Sequence, residues 1–220
     1  MIKLIIFDWD DTFTLGSTDG YLACYHEALT SVGITLSPEE EKARVLPTWG
    51  TGHVKGIEAL LREYPELVPD AVKKWEDSVY GDVFVNQLQL VKGSVALLNR
   101  LAKQYMLAIA TGGDIRIVRE RAFPKFQIPD VFAQVTSTYE LADPLKGKPH
   151  PYMLELIMKT QNIKPEETIM VGDAKNDVLM AQNAGIETVV VLTGHLSRKE
   201  AEELGVKHII DDVTKLETVL

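Results

Sequence analysis

The sequence predicts an α/β fold that combines a doubly wound parallel sheet with a smaller α-helical domain. From about residue 93 onwards, short apolar runs alternate with amphipathic segments, as is typical of this fold class. Residues 14–87 contain several helix patterns but no comparable strand run. The first apolar run, at 4–7, passes directly into a cluster of acids, an unusual end for a buried strand because like charges repel each other.

Each later strand candidate is a near-continuous apolar run, which suits a strand covered on both faces of a parallel sheet. The candidates are MLAIAT at 106–111, AQVTST at 133–138, TIMVGD at 168–173 and TVVVLTG at 188–194. Helix patterns lie between them, for example PYMLELIMKTQN at 151–162. Asn176 is predicted to cap a helix that ends at Gly185, and SRKE at 197–200 predicts a capping box.

A helical insert is expected between the first strand and the rest of the sheet. We predict a core of residues 1–13 and 88–220 and a helical domain of residues 14–87. The helix patterns of this domain are DGYLACYHEALTSVG, SPEEEKARVL, GHVKGIEALLREY and PDAVKKWEDSVYG. The second pattern opens with a capping box of Ser37 and Glu40, with a proline between them in the first helical turn.

The composition limits the possible partners. The chain has 32 acidic and 23 basic residues and a formal net charge of -9, so a basic face for nucleic acid is not expected. Its single cysteine, Cys24, excludes an intramolecular disulfide and a Cys-rich zinc site. No apolar run approaches the roughly 18 residues that span a bilayer, and the N-terminal run is too short for a signal peptide. We therefore expect a cytoplasmic protein that binds neither nucleic acid nor a membrane.

Polar side chains follow several of the predicted strands at their carboxyl ends, where ligands bind in doubly wound sheets. They are Asp8 and Asp10 after the first strand, Thr111 at the end of the second, where Gly112 follows, and Asp173 and Asp177 after a later strand, while Lys146 and Lys148 lie ahead of a helix. A hard divalent cation with oxygen ligands would offset the clustered acids, and Mg²⁺ fits that description. The sequence therefore predicts a magnesium site at this rim.

Four segments of the chain resemble, in order and spacing, the motifs of the haloacid dehalogenase (HAD) superfamily. They are DWDDT, ATGG, KGKP and GDAKND, and the helical insert resembles the cap domain of that family. One such motif has little specificity, whereas four in order are specific. Two positions depart from the common pattern, because Asp11 stands where glycine is frequent and Gly112 stands where asparagine often follows the second motif's hydroxyl residue.

The resemblance implies a catalytic role for several residues. Asp8 would be the nucleophile that forms an aspartyl-phosphate, and Asp10 would act as general acid and then as general base. Thr111 and the backbone N–H of Gly112 would hold the phosphoryl oxygens. Lys148 would neutralise charge on Asp8 and on the phosphoryl group.

The resemblance also implies the ligands of the magnesium ion. They would be Asp8, the carbonyl of Asp10, and Asp173, while Asp177 would act through water or orient Lys148. Lys146 is the alternative to Lys148, but Pro149 follows Lys148 as it does in the family.

The function implied is a Mg²⁺-dependent phosphomonoester hydrolase that acts on a small phosphorylated metabolite, as a monomer or a homodimer. A phosphosugar mutase of the β-phosphoglucomutase type stays open, because it keeps both Asp8 and Asp10. A dehalogenase would not need Asp10. A phosphoacceptor module of the receiver type would need an aspartate at the end of a later strand, whereas the run at 133–138 ends in TST.

Substrate selection is expected to come from the helical insert, whose segment VLPTWGTGHVKGIEALL resembles the cap of phosphoglycolate phosphatases. His53 and Lys55 are the candidate specificity residues, because GTGHVKG resembles a loop that opens a helix, where a substrate anion could bind. A solvated helix start is the alternative interpretation. Cys24 is expected to be a packing residue, and His150 and His195 are expected to be loop histidines.

Overall fold

The computed structural model describes residues 1–48 and 52–220, which divide into two compact units. The core unit comprises Met1–Leu15 and Gln89–Leu220, and the helical unit comprises Gly16–Leu88. That the helical unit acts as a cap stays a prediction. None of the helices in the described residues combines the length and the apolar character that crossing a membrane requires.

The strands of the described residues are short and mostly parallel. They are β1 (Leu4–Phe7), β2 (Thr14–Leu15), β3 (Gln89–Leu90), β4 (Met106–Thr111), β5 (Phe132–Ser137), β6 (Thr168–Gly172), β7 (Glu187–Val191) and β8 (His208–Ile210). Six of them form a parallel sheet in the order β5-β4-β1-β6-β7-β8, and β2 pairs with β3 in an antiparallel ribbon. The predicted parallel α/β fold is therefore confirmed.

Helices connect the strands of the core unit and make up most of the helical unit. They are α1 (Ser17–Ser31), α2 (Pro38–Val45), α3 (His53–Leu60), α4 (Val68–Tyr80), α5 (Asp82–Gln87), α6 (Ser94–Leu101), α7 (Phe123–Phe126), α8 (Tyr152–Gln161), α9 (Lys175–Ala184) and α10 (Arg198–Glu203), with a π-helical turn at Ile117–Ala122 before α7. In the helical unit, α1 packs against α4 and α5.

The centre of the sheet is fully buried because both of its faces are covered. Ile6 of β1 pairs with Ala108 of β4 on one side and with Met170 of β6 on the other. These three side chains belong to one apolar cluster with residues of α8 and α9, among them Met153 and Met180. Polar side chains would be costly at these positions, which is why the strands are continuous apolar runs.

The predicted helix ends are partly right. Ser197 and Glu200 form the expected capping box at the start of α10, and Gly185 ends α9 with a left-handed φ of 70°. The prediction that Asn176 caps α9 is wrong, because the helix begins at Lys175, one residue before Asn176. The Asp177 carboxylate accepts the N–H of Ala174, the residue before the helix, at 3.1 Å.

Candidate active site

The site is built at the carboxyl ends of β1 and β6, which are neighbours in the sheet. Asp8 follows β1 directly, and its N–H donates to the carbonyl of Val171 at 2.8 Å, so the sheet pattern fixes its backbone. Lys148 Nζ lies 2.6 Å from Asp8 Oδ1 and donates to Asp177 Oδ1, also at 2.6 Å. One lysine thus bridges the end of β1 and the first turn of α9.

Three buried carboxylates converge around this lysine. Asp8, Asp173 and Asp177 each offer an oxygen, and these oxygens lie within 4.8 Å of one another. Their relative exposures are 7%, 1% and 1%, so water does not screen the repulsion between them. The single positive charge of Lys148 leaves this group of three acids with an excess of negative charge.

The donor set suits a hard divalent cation. Asp8 Oδ1 is buried, and its close contact is the ion pair with Lys148 Nζ at 2.6 Å, with no further hydrogen bond from the described residues. A carboxylate oxygen that has a lone pair available can serve as a metal ligand. Magnesium prefers one or two carboxylates together with water and substrate phosphate. The residues present therefore fit a magnesium ion held by Asp8 and Asp173.

The pKa values reflect the crowding of the acids. The pKa of Asp8 is raised to about 7, chiefly by burial, with Lys148 acting to lower it and the charges of Asp177 and Asp10 acting to raise it. Burial also raises the pKa of Asp173 to about 8, and the neighbouring charges of Asp177 and Asp8 act in the same direction. Burial alone would lower the pKa of Lys148, but Asp177 and Asp8 raise it above its usual value, so this lysine stays charged.

Two residues that the sequence analysis did not single out hold the acids in place. The hydroxyl of Thr12, which is fully buried, donates to Asp173 Oδ1 at 3.2 Å. Gly172 makes room for Asp177, because a Cβ at this position would lie 2.5 Å from Asp177 Oδ2. The available signal for both residues was their position inside quoted motifs, since Thr12 belongs to DWDDT and Gly172 opens GDAKND.

The turn after β4 lies at the same edge of the sheet, next to β1. Thr111 is buried, and its Oγ1 accepts the N–H of Gly113 at 3.0 Å. The hydroxyl of Ser137, at the end of β5, donates to the carbonyl of Gly113 at 2.5 Å and fixes the turn from the other side. A Cβ at Gly112 would meet open space, so packing does not require glycine where the family often has asparagine.

The other predicted residues of the core unit fall into two groups. Asp10 is half-buried, lies outside the group of three carboxylates and acts on Asp8 through its charge. Asp11 has a left-handed φ of 54°, a conformation that aspartate adopts more readily than most residues. Lys146 lies over the ring of Tyr152, 4.6 Å from its centroid, so the structure places Lys148 rather than Lys146 at the acids.

The two candidate specificity residues lie at the start of α3 in the helical unit. His53 stacks on Trp75 with ring centroids 4.2 Å apart and 3° between the planes, and burial lowers its pKa. Lys55 is exposed and pairs with Glu58 at 2.8 Å. Gly50 and Thr51, which open the GTGHVKG segment, lie outside the described residues. The role of His53 and Lys55 in substrate choice stays a prediction.

Cys24 also belongs to the helical unit. It is fully buried, and burial raises the pKa of its thiol to about 12. A thiol in this state is not a nucleophile at neutral pH. The expectation that Cys24 is a packing residue agrees with this environment.

Comparison with known proteins finds a matching family and relatives of similar sequence. A family model of haloacid dehalogenase-like hydrolases matches residues 2–185. A phosphoglycolate phosphatase from Vibrio cholerae is 28% identical over 230 residues, which cover 100% of this chain and 97% of that protein. A glyceraldehyde 3-phosphate phosphatase from Pyrococcus furiosus is 29% identical over 214 residues, which cover 91% of this chain and 85% of the relative.

The fold has close counterparts among solved structures. A crystal structure described as a predicted phosphoglycolate phosphatase from Haemophilus somnus 129PT superimposes with a TM-score of 0.81. The match covers 99% of this chain and 97% of that chain, at 21% sequence identity. At this identity the match supports the fold alone.

Proposed function

The chain belongs to the haloacid dehalogenase-like hydrolases and is an enzyme of the phosphatase kind, and we propose that it is a magnesium-dependent phosphomonoester hydrolase. The observation that carries the proposal is the position of Lys148, which lies 2.6 Å from both Asp8 and Asp177 beside the group of three carboxylates. A nucleophilic carboxylate, a fixed cation and an acidic ligand set are the parts that phosphoryl transfer needs.

Asp8 is the nucleophile of the proposed reaction. Its carboxylate attacks phosphorus, an oxygen–phosphorus bond forms on Asp8, and the bond from phosphorus to the leaving alcohol oxygen breaks. Asp10 gives its proton to that oxygen, and then takes a proton from the water that attacks the phosphorylated Asp8. Inorganic phosphate leaves, and both carboxyl groups return to their starting states.

The remaining residues stabilise the charge that develops on the phosphoryl oxygens. The Lys148 ammonium, already desolvated, lies beside the attacking carboxylate and needs no rearrangement to act. The turn at Thr111 and Gly112 is proposed to bind phosphoryl oxygens through a hydroxyl and a backbone N–H. A magnesium ion held by Asp8, the Asp10 carbonyl and Asp173 would supply further positive charge.

The proposed substrate is a small phosphorylated metabolite. The relatives named above are phosphatases of phosphoglycolate and of glyceraldehyde 3-phosphate, both small phosphomonoesters. We propose that the helical unit selects among such substrates. Replacing Lys55 with alanine tests this, because its side chain is exposed and its loss leaves packing intact, whereas His53 also packs on Trp75. A changed order of preference among small phosphates, with unchanged turnover of p-nitrophenyl phosphate, is the expected result.

The deciding experiment assays the purified protein on a panel of phosphomonoesters with magnesium and with EDTA. We expect release of inorganic phosphate that EDTA removes and magnesium restores, and no release by the isosteric Asp8→Asn variant. Turnover by Asp8→Asn at more than a small fraction of the wild-type rate would overturn the covalent mechanism. Isomerisation of a sugar phosphate without net phosphate release would favour the mutase instead.

A further inference from the structure

Four consecutive residues after β7 contact the acidic site, although no sequence motif marked them. They are Thr193, Gly194, His195 and Leu196, called here the 193–196 strap. Because β7 lies next to β6, and β6 lies next to β1, the strap reaches the loops that carry Asp173 and Asp8. We propose that the 193–196 strap positions the Asp173 carboxylate for the metal ion. The inference concerns the metal site and so rests on the proposed function.

The strap holds Asp173 by two backbone amides. The N–H of His195 donates to Asp173 Oδ2 at 3.1 Å, and the N–H of Leu196 donates to the Asp173 carbonyl at 2.9 Å. The hydroxyl of Thr12 donates to the other carboxylate oxygen at 3.2 Å. One donor on each oxygen fixes the plane of the carboxylate, and each oxygen retains a lone pair that can bind a cation.

Gly194 supplies the space that this arrangement requires. A Cβ built on Gly194 would overlap the Asp173 carboxylate, with Oδ2 and Cγ as the nearest atoms. The backbone of Gly194 does not have a positive φ, so space rather than conformation explains the glycine. Any side chain here would require the Asp173 carboxylate or the backbone of the strap to move.

The strap also ties down the loop that follows β1. The hydroxyl of Thr193 donates to the carbonyl of Asp11 at 2.7 Å. The His195 ring adds a looser contact, with Nε2 3.9 Å from Asp11 Oδ2. The two acidic loops, after β1 and after β6, are therefore held by one segment, which fixes the separation between Asp8 and Asp173.

Fixed donors matter here because Asp8, Asp173 and Asp177 repel one another once they are ionised, the state in which they bind a cation. Without the strap, the Asp173 carboxylate would turn away and so relieve that repulsion. Binding of the metal would then have to restore the orientation of the carboxylate. Groups that orient a ligand in this way contribute about 10- to 100-fold to metal affinity. The strap residues are positioning residues, since they act through Asp173 and not on the substrate.

The test compares magnesium binding by strap variants with that of the wild type. Isothermal titration calorimetry of the metal-free protein, without substrate, should show affinity at least about 10-fold lower in Gly194→Ala. The concentration of magnesium that gives half-maximal activity should rise in parallel, while the KM for substrate at saturating magnesium changes less than about twofold, since the strap acts through the two acidic loops and not on the substrate.

A matched pair covers the case in which Gly194→Ala does not fold. Thr193→Val removes the hydroxyl at constant shape, and Thr193→Ser keeps it. Weaker magnesium binding by the valine variant, with near wild-type binding by the serine variant, supports the proposed positioning role of the strap. If both Thr193→Val and a folded Gly194→Ala bind magnesium as tightly as the wild type, the positioning role of the strap is overturned, while the proposed phosphatase function still stands. Absence of magnesium binding by the wild type overturns both proposals.

Discussion

The ammonium of Lys148 lies 2.6 Å from the carboxylate of Asp8, and the two side chains are each only 10% exposed. In water such a pair would contribute little, but burial removes the solvent that would screen it. Lys148 also contacts Asp177 at the same distance, so it partly neutralises two acids at once. The charge balance of the site therefore depends on one residue that lies far from both acids in the sequence.

Replacing Lys148 with methionine should reduce both turnover and stability. Loss of a fixed cation beside developing negative charge lowers kcat by about 10²- to 10³-fold, and removing one partner of a buried pair costs about 3–5 kcal/mol of unfolding free energy. Steady-state kinetics and urea denaturation measure the two effects. Lys146→Met is the matched control, because Lys146 lies over Tyr152, and it should turn over substrate at near the wild-type rate. Equal losses in the two variants would contradict this role of Lys148.

Metal-free protein should lose stability as the pH rises from about 4 to about 8. The pKa of Asp173 is raised from 3.8 to about 8 in the folded protein, so over this range the folded state binds more protons than the unfolded state. The unfolding free energy then falls with rising pH, by an amount on the order of a few kcal/mol. Below pH 4, Asp173 is protonated in both the folded and the unfolded state, so it no longer makes the unfolding free energy depend on pH.

Urea denaturation in EDTA at pH 5, 6.5 and 8 measures this slope. Asp173→Asn, which cannot ionise, should show a shallower fall than the wild type, so the difference between the two proteins isolates Asp173. Adding magnesium at pH 8 should raise the stability of the wild type more than that of the variant, because binding to the folded state alone stabilises it. Parallel pH profiles for the two proteins would refute the assignment.

The convergence of the acids could be predicted from the sequence because the carboxyl ends of parallel strands meet at one edge. Asp8 and Asp173 each follow a continuous apolar run, and that pattern fixes where each strand ends. The strands β2, β3 and β8 were not predicted, since runs of two or three residues carry too little apolar periodicity to mark a strand.

The parts of the site that were not predicted depend on contacts between distant residues. Thr12 donates to Asp173 across 161 positions, and Gly194 leaves space for a side chain of another loop. Neither contact changes the local pattern of apolar and polar residues. The error at Asn176 is local: the helix begins one residue earlier than predicted, at Lys175, and the Asp177 carboxylate accepts the N–H of Ala174, three residues before it.

Asp10→Asn should discriminate between leaving groups. A general acid matters most when the departing oxygen is a poor leaving group, so hydrolysis of alkyl phosphates should slow by about 10²- to 10⁴-fold. Aryl phosphates such as p-nitrophenyl phosphate need little protonation and should slow much less. Ratios of kcat/KM for one alkyl and one aryl substrate measure the difference. Equal losses on both would show that Asp10 acts on the metal or on the fold and not as an acid.

Asp11→Gly should keep the fold and the activity, although Asp11 lies among the acids. Asp11 has a left-handed φ of 54°, which glycine adopts without steric penalty. The carbonyl that accepts the Thr193 hydroxyl remains, and the contact with His195 that is lost is a loose one, at 3.9 Å to a half-exposed ring. Asp11→Val is the contrasting variant, because a β-branched residue in this conformation costs about 1–2 kcal/mol. Urea denaturation should therefore rank glycine at or near the wild type and valine clearly below it. A glycine variant as unstable as the valine variant would show that the Asp11 carboxylate, and not the backbone conformation, is what this position requires.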